Sequence, residues 1–172
     1  GWYFEHKVNQ QRAMDNALAV IQDVYDRFAA LSGRRYQHLM QYRMEDADIA
    51  IVVIGSAAGN ARSVADKLRA EGVKAGVIKV RTFRPFPAAQ YAKALAGVKA
   101  VGIMDRADSF GAAGGPLYMD VTSALYQQGV YTKAANFIYG LGGRDIFPHN
   151  IEEAFRVLQK AAEGGDLPKS RV

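Results

Sequence analysis

The stretch Ile49-Ala50-Ile51-Val52-Val53-Ile54 is apolar at every position and β-branched at all but one. A strand with one face in water alternates apolar and polar residues, so an unbroken run of this kind has both faces covered. Strands buried on both faces belong to mostly parallel sheets flanked by helices on either side. Further strands of similar length are expected at 74–80, 98–104 and 134–139, and each is followed by a segment of helical period. Ala61, Val64, Ala65 and Leu68 line one helical face behind Asn60, which stands in N-cap position, and Gly72 ends that helix. Helices are also expected at Ala88–Ala96, opened by Pro87, and at Pro116–Gln128, closed by Gly129. The last, Asn150–Ala162, has Glu153 placed to reach back to an Asn150 cap. Residues 37–43 alternate weakly and read as a short edge strand. The pattern is that of a three-layer α/β/α sandwich around a five-stranded, mostly parallel sheet.

Upstream, residues 9–32 predict a long helix. Ala13, Ala17, Val20, Ile21, Val24, Phe28 and Leu31 repeat at three- and four-residue spacing, and Gly33 supplies the stop. That stripe could pack on its own domain or bridge to a neighbour. Three segments follow: an N-terminal segment and helix at 1–36, the α/β domain at 37–163, and a solvated tail at 164–172. The chain opens on Gly1 rather than Met and runs straight into Trp2, Tyr3 and Phe4. It reads as a processed product or a piece of something longer.

Composition narrows the chemistry. Among 172 residues there is no cysteine, which removes disulfides, thiol nucleophiles and cysteine-ligated zinc or iron–sulfur clusters within this chain. His6, His38 and His149 are too scattered to suggest a metal site. No apolar run approaches the roughly 18 residues of a membrane span. The net charge of +5 is spread along the chain, its longest basic cluster being Arg34-Arg35. A nucleic-acid surface gathers its charge, so no nucleic acid is expected, and an acidic protein partner is the more economical use of any local surplus.

Function in such a sheet concentrates where strands give way to loops. Gly55-Ser56-Ala57-Ala58-Gly59-Asn60 joins a buried strand to a helix N-terminus, where the dipole favours an anion. It is neither G-x-G-x-x-G, nor a G-x₄-G-K-[ST] loop, nor a nucleophile elbow. Gly55, Ser56, Gly59 and Asn60 are candidate ligand contacts, set against the plainer reading of a tight turn that needs small residues. Arg81-Thr82-Phe83-Arg84-Pro85-Phe86-Pro87 is a stiff turn carrying paired arginines and phenylalanines, the residue types that dominate interfaces. It either anchors a partner or lids the core. Asp105-Arg106-Ala107-Asp108 and Gly142-Gly143-Arg144-Asp145 close two further strands. Arg81, Arg84, Arg106 and Arg144 thereby share one edge with Asp105, Asp108 and Asp145, a balance that favours arginine–carboxylate pairs over a phosphate site. Phe110 to Pro116 is a glycine-rich approach to a helix, suited to close packing by another chain. There is no G-D-G with a downstream Asn-Asn to hold magnesium and thiamine diphosphate, and no Ser/His/Asp set at loop positions. No catalytic constellation emerges.

Six motifs in order carry a resemblance. They are Tyr42-Arg43-Met44-Glu45-Asp46-Ala47, Gly55-Ser56-x-x-Gly59, Leu68-Arg69-x-x-Gly72-Val73-Lys74-x-Gly76, Arg81-x-Phe83-Arg84-Pro85-Phe86-Pro87, Gly114-Gly115-Pro116-Leu117-Tyr118-x-Asp120 and Gly140-Leu141-Gly142-Gly143-Arg144-Asp145. With Asp105-Arg106 and the preceding helix, the chain resembles the C-terminal part of the alpha subunit in the pyruvate:ferredoxin oxidoreductase (pyruvate synthase) family. The resemblance implies a transketolase C-terminal-like fold, with strand order 1-3-2-4-5 and strand 1 antiparallel. It also implies a cytoplasmic complex of domains and subunits in which thiamine diphosphate, magnesium, iron–sulfur clusters and coenzyme A serve the oxidative decarboxylation of a 2-oxoacid, pyruvate foremost, with ferredoxin taking the electrons. This chain would then be a non-catalytic assembly domain holding none of those cofactors. Arg81, Phe83, Arg84, Phe86, Arg106 and Arg144 would face its partners. The alternative is a free-standing domain that binds a small molecule or anion in the crevice between the Gly55 and Asp105 loops.

Overall fold

The computed structural model describes residues 1–168. In chain order its elements are α1 (Tyr3–Ser32), β1 (Leu39–Tyr42), β2 (Ile49–Ile54), α2 (Ala57–Ala70), β3 (Ala75–Val80), α3 (Ala88–Leu95), β4 (Ala100–Asp105), α4 (Pro116–Gln127), β5 (Lys133–Ile138) and α5 (Pro148–Ala162), with a short 3₁₀ turn at Leu141–Gly143. The sheet order is β1-β3-β2-β4-β5. β1 runs antiparallel to β3, with Leu39 opposite Val80 and Tyr42 opposite Val77, while every other pairing is parallel. The sandwich, the strand order and the antiparallel edge agree with expectation.

β2 explains why its sequence never alternates. Ile49, Ile51 and Val53 enter a core shared with α2 and α5, whereas Ala50 and Val52 enter a second core under α3 and α4. Successive side chains point to opposite faces, and both faces are dry. Phe155 and Leu158 of α5 are fully buried in the first core, as are Tyr91 and Leu95 of α3 in the second.

Several local expectations need correction. α2 begins at Ala57, so Asn60 lies within its first turn rather than at the cap, and its side-chain amide donates to the carbonyl of Ile146 at 3.4 Å. α5 begins at Pro148, and Asn150 caps from inside: its Oδ1 accepts the Phe147 N–H at 3.1 Å. Pro148 fits the first helical position because its nitrogen has no hydrogen to leave unpaired. Of the tail, Gly164, Gly165, Asp166 and Pro168 are exposed, while Leu167 packs against the first core and the Gly165 carbonyl accepts from Lys133 Nζ at 3.1 Å. Positions 169–172 of that tail lie outside the described residues.

α1 departs furthest. It starts at Tyr3, six residues earlier than the apolar period indicated, and runs 30 residues to the αL cap of Gly33, whose N–H reaches the Ala29 carbonyl at 2.9 Å. None of its residues is buried. Of the expected stripe, Val20, Val24 and Leu31 are exposed, Leu31 by 89%. The half-covered residues Met14, Leu18, Ile21, Tyr25 and Ala29 follow a neighbouring line. The helix meets the domain through an aromatic cluster near its C-terminal end. Tyr25 lies edge-on to Tyr36 and His38, Phe28 stacks on Tyr36, and the Tyr25 hydroxyl is 3.3 Å from Thr82 Oγ1.

Candidate functional site

Strand order creates a crevice. The chain leaves β2 toward β3 on one side, then crosses back to β4 on the other, so the loops after β2 and β4 diverge at the carboxyl edge of the sheet. Open α/β sheets bind ligands at such a switch point. A cleft of about 680 Å³ opens there, between the β2–α2 turn, the β4–α4 loop and the segment after β5.

Each wall has a local cause. Gly55 has φ +81°, a left-handed conformation that L side chains rarely adopt, and this lets the chain turn from β2 into α2. Ser56 takes the N-cap position without any side-chain cap bond to the first turn of α2. On the opposite wall Asp105 is only 4% exposed and fully committed. Its Oδ1 accepts the Leu117 N–H at 2.8 Å, and its Oδ2 accepts the Tyr118 N–H at 3.1 Å and the Asn136 amide at 2.9 Å. Asn136 Oδ1 in turn accepts the Gly115 N–H at 2.8 Å. Gly115 is needed for this approach, because a Cβ there would collide with the Asp105 carboxyl group. Burial pushes the Asp105 carboxyl above its ordinary pKa, against the opposing pull of the two backbone amides and Asn136.

The third wall follows β5. Tyr139, whose hydroxyl pKa is raised by burial, donates to the Ile54 carbonyl at 3.4 Å across the mouth of the cleft. Arg106 Nε donates to the Gly140 carbonyl at 3.4 Å and finds no carboxylate among the described residues. Arg144 and its neighbour Asp145 line the same cleft, and neither forms a salt bridge among the described residues.

The structure thus divides the residues that the sequence singled out. Gly55, Ser56, Asn60, Phe83, Arg106 and Arg144 line the cleft; Gly59, Arg81, Arg84 and Phe86 do not. Arg84 is held by Asp120 at 2.6 Å, by the Phe83 carbonyl at 3.0 Å and over the Phe83 ring at 4.2 Å. Phe83 and Phe86 are half-buried against the second core, and Phe86 stacks on Tyr91 at 4.8 Å. Arg81 lies 4.2 Å above Tyr36, which continues into Phe28 of α1, so this arginine belongs to the surface of the long helix. Sequence reasoning missed Tyr139, Ile146 and Met104 as cleft residues. Met104 and Tyr139 carried only the signal of position, at or just beyond a strand end, and Ile146, between the 3₁₀ turn and α5, carried none.

The cofactors that the family implies can be tested against the donors present. There is no cysteine to hold an iron–sulfur cluster. Among the described residues no three His, Cys, Asp or Glu side chains converge to hold a metal ion. No helix among the described residues is long and apolar enough to cross a membrane.

Comparison with known proteins adds the lineage. Residues 47–151 match the family model described as pyruvate:ferredoxin oxidoreductase core domain II. The chain is 45% identical over 154 residues to pyruvate synthase subunit PorA of Thermotoga maritima, covering 90% of this chain and 39% of that one. It is 40% identical over 171 residues to the alpha subunit of NADH-dependent phenylglyoxylate dehydrogenase from Aromatoleum evansii, covering 99% of this chain and 41% of that protein. The chain therefore spans about two-fifths of the length of these curated relatives. Among solved structures, the inactive β4 tetramer of a split-gene transketolase superposes with TM-score 0.56 at 19% identity, over 76% of this chain and 43% of that one. This last likeness concerns the fold alone.

Proposed function

The chain belongs to the pyruvate:ferredoxin oxidoreductase core domain II family, and from that membership we propose that it is a non-catalytic assembly domain of a 2-oxoacid:ferredoxin oxidoreductase. The observation that carries this reading is α1. A helix of 30 residues extends about 45 Å, and helices draw most of their stability in proteins from a packed face. No residue of α1 is fully buried, and it presents Val20, Val24 and Leu31 along one flank and Trp2, Tyr3 and Phe4 at its tip, those three each at least 73% exposed. Other domains or subunits of the enzyme are the proposed cover for that flank. Arg81 and Arg84 with Phe83 and Phe86 extend the same docking face past Tyr36, while Arg106 and Arg144 lie at the cleft beyond it.

Thiamine diphosphate, magnesium, iron–sulfur clusters and coenzyme A are assigned in this proposal to other parts of the enzyme, and the location is cytoplasmic. Relatives named for pyruvate and for phenylglyoxylate share this same region at 45% and 40% identity. This supports a common scaffold rather than a substrate-selecting part, with pyruvate the proposed substrate. The test is assembly. Val20→Asp with Val24→Asp is expected to weaken association with the thiamine-binding subunits at least about tenfold, the scale of an interface contact worth more than 1 kcal/mol. The chain's own melting temperature should stay within a few degrees. Unchanged assembly, or turnover of pyruvate by the chain alone, refutes the proposal.

A further inference from the structure

We infer that the switch-point cleft is a binding site for a small organic anion, one carrying a carboxylate or phosphate on an apolar body. Four features converge on that chemistry. The cleft, at about 680 Å³, falls within the size range of small-molecule pockets. Phe83, Met104 and Tyr139 give it apolar and aromatic lining for the body of a ligand.

Its charge is the second feature. Arg106 and Arg144 both line the cleft without a carboxylate partner among the described residues. Elsewhere in the same domain Arg69, Arg84 and Arg156 each find one, at Asp46, Asp120 and Glu71. A guanidinium presents a planar fork of donors suited to carboxylate and phosphate oxygens.

Third, the two acids of the lining differ in exposure. Asp105 is 4% exposed and its oxygens accept from the amides of Leu117 and Tyr118 and from Asn136, beside the positive end of α4. The exposed charges of the cleft are Arg106, Arg144 and Asp145, two cations to one carboxylate. Fourth, the first turn of α2 reaches the cleft at Ser56 and Ala57 with no side-chain cap. Its donors supplement the arginines but would not define a site without them.

Calorimetric titration of the chain with phenyl phosphate, phenylacetate and the neutral phenylacetamide tests the assignment. Saturable binding of at least one anion is expected, with the amide at least about tenfold weaker, because a charge-assisted contact is lost. Which anion prevails distinguishes phosphate from carboxylate as the natural headgroup. Arg144→Ala and Arg106→Ala should each weaken the preferred anion at least about tenfold, whereas Arg156→Ala, outside the cleft and paired with Glu71, should leave it unchanged. Arg144 makes no side-chain bond among the described residues, so an unaltered melting temperature is expected for Arg144→Ala and checks that the variant is folded. No saturable binding of either anion overturns the inference, as does binding indifferent to both cleft arginines. Loss of subunit assembly in Arg144→Ala, with no anion bound by the parent, would reassign the cleft to an interface and leave the assembly role of α1 standing.

Discussion

α5 and α1 are both amphipathic by sequence and end differently in the fold. α5 has 15 residues and buries Ile151, Ala154, Phe155, Leu158 and Ala161; α1 has 30 and buries none. The difference lies in connectivity. α5 follows the last strand through residues 139–147, a connection that returns it across the sheet beside α2. α1 precedes an edge strand and touches the domain through Tyr25 and Phe28 near its end. A periodic apolar stripe states that a helix has a face to cover, but not where the cover comes from.

The comparison is most sharply tested by truncating one helix and then the other. Phe155→Ala removes a fully buried ring and is expected to destabilise the chain by about 3–5 kcal/mol, read from denaturant unfolding. Val24→Ala, on the open flank of α1, should change that same quantity by no more than about 0.5 kcal/mol. Equal effects from the two would mean that α1 is covered by its own domain.

A smaller loss is expected at the cleft wall. Asp105→Ala leaves the amides of Leu117, Tyr118 and the Asn136 side chain without their acceptor. It should destabilise the chain by about 1–3 kcal/mol and loosen the start of α4, which hydrogen exchange at Leu117 and Tyr118 would register.

Surface ion pairs should contribute least, and with a definite pH signature. The bond from Lys67 holds the Glu152 carboxyl below its ordinary pKa, with help from Arg156, and the bond from Arg69 does the same for Asp46. A depressed folded pKa supplies stability above the unfolded value, which is lost as pH falls through the folded one. Asp105 has the opposite sign, since its raised pKa makes protonation favour the folded state as pH falls through that higher value. Glu152→Gln and Asp46→Asn should therefore cost a little stability at pH 7 and nothing once both carboxylates are protonated. A difference undiminished at a pH low enough to protonate both carboxylates would mean that the effect is not ionic.

Much of the architecture was legible in the residues themselves. Unbroken β-branched runs required a sheet covered on both sides, and proline and glycine punctuation located most helix ends to within about two residues. The misplaced caps at Asn60 and Asn150 have different causes. Asn150 bonds the Phe147 N–H three residues back, so the helix starts earlier at Pro148, whereas the segment carrying Ile146 became available to Asn60 only after β5 had been laid beside β4.

The candidate site was legible only in parts. Gly55, Ser56 and Arg106 stood out because they directly follow strands, and Arg144 because it closes a glycine-rich turn, local properties that alternation and punctuation record. That Phe83, Met104 and Tyr139 join them, while Arg84 turns instead to Asp120 36 residues away, was decided by strand order and helix packing. By itself the sequence determined the layers, the elements and the residue types at the carboxyl edge, because these follow from local period and backbone preference. Which arginines pair, which face a cleft, and which helix is left open was decided by the tertiary structure, because side chains distant in sequence compete for the same few partners only after the sheet has brought them together.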